Sequence, residues 1–138
     1  MTSAEQSPQR SNGANSTAAS VVVSFPGRPE YLRLVRLAAA DAGARAGLSL
    51  EDLENLRIAV DELTYAIMGE RGADEVTLRY SSADGVVEIQ GECASAPSDQ
   101  SLALSDLARS IVGAIVDEHD IGIENGMRTF HLVKHRRV

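Results

Sequence analysis

Two adjacent carboxylates, Asp61 and Glu62, sit in the middle of "NLRIAVDELTYAIM", residues 55–68, a stretch otherwise suited to packing. A carboxylate held at the margin of a buried surface suits general-base or metal-ligand work. Its ordinary alternative is a solvated edge on a one-sided helix. The remaining residues offer less. His131 and His135 are four apart on a predicted strand, where that spacing spans about 13 Å, so they cannot share an ion. His119 has no cysteine or histidine close by in the chain. Cys93 follows a predicted strand with no histidine tied to it locally, and reads as a small buried thiol. Neither a G-x-S-x-G elbow nor a G-x-x-x-x-G-K-[ST] loop is present. "GIENG" holds two glycines, but turn chemistry accounts for them.

The element carrying Glu62 is well marked. Ser49 caps it, with Asp52 at the capping-box position. Leu53, Leu56, Val60, Leu63 and Ile67 then recur in steps of three and four, and Gly69 and Gly72 stop the helix. Glu62 flanks that stripe near Ile58, Ala59 and Ala66, while Asp61 lies further round, near Arg57 and Tyr65.

Upstream, "SVVVSF" (20–25) is a strand and "PGRP" a turn. A helix from about Pro29 to Ala46 presents Leu32, Val35, Ala39 and Ala42 inward, turns Arg33 and Arg36 outward, and ends at Gly47. Downstream, "EVTLRYS" and "VVEIQGE" flank "ADG" as a hairpin. A third helix over about Ser105–Asp117 presents Leu107, Ala108, Ile111, Val112 and Ile115 inward. "HDIGIE" and "MRTFHLVKH" flank "NG", a strong hairpin signal. The order β-α-α-β-β-α-β-β predicts a two-layer α/β (α+β) sandwich, three helices on one face of a mixed, mostly antiparallel sheet.

Residues 1–19 are rich in Ser, Asn, Gln, Gly and Ala and read as a disordered tail; residues 20–138 read as one domain. The net charge of −7 argues against a duplex-binding surface, and 4% aromatics with no Trp against a base-stacking one. The basic end "KHRRV" reads as a solvated terminus. A single cysteine suits a reducing cytosol, and the absence of a signal peptide or apolar span supports a cytoplasmic location.

Two segments carry a family resemblance. "RPEYLRLVRLAAADAGARAGLSLEDLENLRIAVDEL" resembles the first two helices of the bacterial anti-sigma-factor serine kinases of the RsbW and SpoIIAB type. "IVGAIVDEHDIGIENGMRTFHLVKH" resembles their last helix and final hairpin. The resemblance spans roughly 20–135 and implies the histidine-kinase-like ATPase (Bergerat) fold of the GHKL superfamily. It also implies three nucleotide motifs, each altered here. In E-x-x-x-N the glutamate handles the attacking hydroxyl and the asparagine holds Mg²⁺; "ELTYA" keeps Glu62 but puts Ala66 at the Mg-ligand position. In D-x-G-x-G the aspartate receives adenine; the matching "GECASA" offers Glu92 as the nearest acid, with Ala94 and Ala96 for glycines. The Gly-rich phosphate lid corresponds to "SDLARS" (105–110), which has no glycine.

Mg²⁺ needs oxygen ligands and carries much of the charge neutralisation in phosphoryl transfer. The expectation is therefore a degenerate kinase homologue with no cofactor, in which Glu62 is a vestigial base. The family's partners would be an alternative sigma factor and a STAS-type anti-anti-sigma protein, with a homodimer also implied. Arg33 and Arg36 are the candidate partner contacts, and neither nucleic acid nor membrane is expected. The alternatives are an active ATP- and Mg-dependent serine kinase, with Asp61 or Glu92 replacing the lost ligand, and a nucleotide sensor that does not hydrolyse.

Overall fold

The structure, a computed structural model, describes residues 19–94 and 102–137. The tail expected over residues 1–19 falls almost wholly outside them. Strand β1 (Ala19–Gly27) leads through a short 3-10 turn (Pro29–Tyr31) into α1 (Leu32–Arg45) and α2 (Leu50–Met68). Strands β2 (Ala73–Ala83) and β3 (Val86–Ala94) precede α3 (Asp106–Ile115), and β4 (Glu118–Glu124) and β5 (Met127–His135) follow it. The element order is the one that periodicity predicts. Pro29 favours a tight first turn and has no N–H to give, so the α-helix proper begins only at Leu32.

The five strands lie in the order β1-β2-β3-β5-β4. All four pairings are antiparallel, so the parallel component of a mixed sheet is absent from the described residues. Both hairpins close on two residues with positive φ, Asp84-Gly85 and Asn125-Gly126, as a two-residue turn between twisted strands demands.

Burial alternates along the strands. Val76, Leu78 and Tyr80 on β2, Val87, Ile89 and Cys93 on β3, and Phe130 and Leu132 on β5 point under the helices. They meet Val35 and Ala39 of α1 and Leu56, Val60, Leu63 and Ile67 of α2, all buried. Tyr80 donates its hydroxyl to the Val35 carbonyl at 3.0 Å, and burial pushes its ionisation up. The opposite sheet face carries no helix among the described residues.

Three expectations are corrected. Leu107 is 72% exposed rather than inward. The ten-residue α3 packs through Val112, with Ala108 and Ile115 beside it. Leu107, five residues earlier, lies about 140° round the axis from Val112.

The basic end is not simply solvated. Lys134 continues the inward alternation of Phe130 and Leu132 and is fully buried. Its Nζ donates to the Ile115 carbonyl at 2.7 Å and lies 3.3 Å from Asp52 Oδ1. Arg137 reaches the same oxygen at 3.4 Å.

The third correction concerns Asp52. Ser49 Oγ accepts from the Asp52 N–H at 3.1 Å, so half of the capping box forms. The Asp52 carboxylate turns to Lys134 instead of back to the cap. Burial opposes its ionisation, but Lys134 and Arg137 outweigh burial and hold the carboxyl below its ordinary range.

Candidate functional site

Helix α2 carries the candidate base along the middle of the helical layer. Glu62 is half-buried and makes no hydrogen bond or ion pair among the described residues. Asp61, next to it, is committed elsewhere: Arg36 Nη1 of α1 donates to its Oδ1 at 3.0 Å. That leaves Arg33 as the outward arginine of α1 without a described partner, while Arg36 joins the two helices. Four residues on from Glu62, Ala66 is half-buried and packs against the core with no atom able to bind a cation.

Strand alternation decides where Glu92 goes. Val87, Ile89, Gly91 and Cys93 face the helices, so Glu88, Gln90, Glu92 and Ala94 face the open side. Glu62 stands on the helical layer and Glu92 on the other face of the sheet. The structure does not bring the two carboxylates together. The β3 residue directed at the end of α2 is Cys93. Its buried thiol donates to the Ile67 carbonyl at 3.1 Å.

Directly across the ladder from Cys93 is Arg128 of β5. Its Nη2 donates to the Met68 carbonyl at 2.9 Å and approaches Cys93 Sγ at 3.8 Å. A guanidinium at the last carbonyls of a helix is favourably placed against the helix dipole. The C-terminus of α2 is thus held by a thiol and a cation from neighbouring strands. Sequence reading assigned Arg128 no role; its position opposite Cys93 depends on the register of β3 with β5.

A cleft of about 810 Å³ opens at this end of the sheet, beside Met68, Gly69, Glu92, Ala94 and Arg128. Neither Glu62 nor Ala66 lines it. Its charged lining is Glu70, Asp74, Glu75 and Glu92 against Arg71 and Arg128. The excess is negative, unfavourable for a polyphosphate.

The segment matching the phosphate lid begins a regular helix. Ser105 caps α3, its Oγ accepting from the Ala108 N–H at 3.1 Å, so that amide is already occupied. Ala96 lies outside the described residues. Among the described residues, no group of three or more His, Cys, Asp or Glu is arranged to hold a metal. On these observations the residues present do not fit Mg-ATP where the resemblance would place it: Ala66 has no ligand atom, Glu92 faces the open side of the sheet, and the segment matched to the lid is helical.

The fold itself is shared with known proteins. The crystal structure of the RsbU and RsbW domains of Rv1364c from Mycobacterium tuberculosis superposes with a TM-score of 0.66 at 17% identity, over 87% of this chain and 34% of that one. Helices layered on a five-stranded antiparallel sheet in this arrangement define a histidine-kinase-like ATPase fold. Sequence then narrows the class. A serine-protein kinase RsbW from Bacillus licheniformis is 32% identical over 97 residues, 70% of this chain and 60% of that protein. Another, from Listeria innocua, is 33% identical over 75 residues, covering 51% and 47%. No family model matches the chain. The chain belongs to the RsbW family, and spans 47% and 60% of the lengths of these two relatives.

Proposed function

We propose that this chain is an anti-sigma-type regulatory protein that binds an alternative sigma factor, a STAS-type anti-anti-sigma protein, or both, without catalysing phosphoryl transfer. The carrying observation is the separation of Glu62 from every group a kinase would need beside it. Ala66 supplies no metal ligand, Glu92 lies across the sheet, and the cleft beside Glu92 is acidic. Regulation then proceeds by competition, in which partners exchange according to affinity alone.

The outer surface of the helical layer suits protein contact. Leu37 of α1 and Ile58 and Tyr65 of α2 are 57%, 45% and 45% exposed, with Arg33 among them. Exposed aliphatic and aromatic side chains beside an arginine are the composition of a protein-binding surface.

Calorimetry of ATP, with and without Mg²⁺, against folded protein tests the absence of a nucleotide. No heat at high micromolar protein is expected, and tight Mg-dependent binding would refute the reading. Co-purification from the native host tests the partner, with a sigma factor the expected companion. A second reading, an active serine kinase, is favoured by the description of the relatives as serine-protein kinases. Transfer of the ATP γ-phosphate to a serine of a co-purified STAS-type protein would establish it. Ala66→Asn alone is expected not to create that activity, because the adenine and lid segments are altered as well.

A further inference from the structure

A second cavity, of about 260 Å³, opens between α3 and edge strand β4 and shares no lining residue with the cleft beside Arg128. It is lined by residues 102–104 before α3, by Arg109 of α3, and by His119, Asp120 and Ile121 of β4. Residues directly opposite on paired strands share a sheet face. His119 stands opposite Leu132 and Ile121 opposite Phe130, so both turn to the helical side. Asp120 stands opposite His131 and turns to the open side, where its Oδ2 lies 3.9 Å from His131 Nδ1. Glu62, Ala66 and Glu92 take no part in this cavity.

The polar groups of this cavity are uncommitted. A Cβ at Gly113 would lie 3.8 Å from His119 Cε1, so this flank of α3 overlies His119. Arg109 is one turn earlier on the same flank. Asp106, three residues before Arg109, has the spacing at which Glu54 pairs with Arg57, yet that bond is not made. The side chains of Arg109 and His119 make no hydrogen bond or ion pair among the described residues.

The rest of the wall is apolar. Leu104 is buried, and Leu102 and Ile121 pack against the core. A guanidinium is cationic at every working pH, and its planar fork matches a carboxylate. Even a neutral imidazole offers one N–H. One cation and one donor beside an apolar wall suit a single negative charge carried on an apolar body. A multiply charged phosphate would leave its remaining oxygens against leucine. The volume equals that of about nine water molecules at ~30 Å³ each, which limits the ligand to roughly that many heavy atoms.

We propose that this pocket binds a small monocarboxylate with a compact apolar body. The carboxylate takes the Arg109 guanidinium and the His119 N–H, and the body lies against Leu102, Leu104 and Ile121. Helix α3 has one buried residue, Val112, where α1 has five and α2 eight. A ligand joining α3, residues 102–104 and β4 therefore fastens the least anchored helix to the sheet. The site does not rest on the binding role above.

Benzoate is a probe of suitable size. Titrated at millimolar concentration into the full 138-residue chain, it should shift the backbone amide resonances of residues 102–104, α3 and β4 and slow hydrogen exchange along α3. Benzamide, which lacks the charge, and inorganic phosphate, which lacks the apolar body, should leave those resonances in place. Arg109→Gln should weaken benzoate binding by at least about tenfold with unchanged far-ultraviolet circular dichroism. Arg79→Gln, on the open face of the sheet, should bind benzoate as the wild type does. No shift with benzoate, shifts scattered over the surface, equal shifts with phosphate, or an Arg109→Gln protein that binds as tightly as the wild type would each overturn the proposal.

Discussion

Burying Lys134 beneath the helices puts an ammonium where water does not reach it, and among the described residues Asp52, Arg137's partner as well, is the acid that neutralises it. Removing one member of such a pair leaves a buried charge uncompensated, at a cost of roughly 3–5 kcal/mol. Asp52→Asn is therefore expected to destabilise the protein by about 3 kcal/mol at neutral pH, read as a lower urea midpoint. The pH dependence follows from the lowered carboxyl. Its contribution is complete above the unfolded value of about 3.9 and is lost as pH falls through the folded value. The gap between wild type and Asp52→Asn should accordingly narrow below about pH 4. Glu62 contrasts with Asp52. It has no described partner, so Glu62→Gln should change stability by less than about 0.5 kcal/mol; a thermal melt showing a large loss would give it a structural task.

At the scale of elements, β3 and β5 are fitted to each other through Gly91. Phe130 lies directly across the ladder, and a Cβ at Gly91 would meet its ring carbons at 2.3–2.9 Å. Gly91→Ala is expected to cost about 1–3 kcal/mol by overpacking, measured by denaturant unfolding. A drop below that range would mean that the ring moves aside. The helix stripes, Ser49 and Gly69 at the ends of α2, and both hairpins were legible in the sequence because each is written within a few neighbouring residues. The inward Lys134 was legible only in part: strand alternation assigns it a face, but the acid it meets is on another element. Glu92 illustrates the same limit. Matching short motifs marked it as the nearest acid, and only the phase of burial along β3 shows that it turns away while Cys93 turns in.

For the molecule as a whole, the proposed partner surface lies on the outside of the helical layer, where Leu37, Ile58 and Tyr65 are exposed. Leu37→Asp is expected to weaken capture of the proposed sigma-type partner by at least about tenfold in a pull-down titration. A variant that binds as tightly as the wild type would place the partner surface elsewhere. This surface was not legible from composition: the net charge of −7 argues against a duplex-binding surface but does not say which face of the molecule meets a protein.

The place of β5 has a consequence for how the chain matures. It is the last strand among the described elements, yet it lies inside the sheet, between β3 and β4. It also carries Lys134 and Arg128, which reach back to α2. While the chain is being synthesised, residues 19–124 lack the interior strand that joins β4 to β3 and have neither Lys134 nor Arg137 for Asp52. The domain must therefore acquire its cooperativity late, once residues 127–137 have left the ribosome. A nascent chain stalled before Met127 would remain open to proteases, although it already contains both of the helices that carry Arg33, Arg36, Glu62 and Ala66.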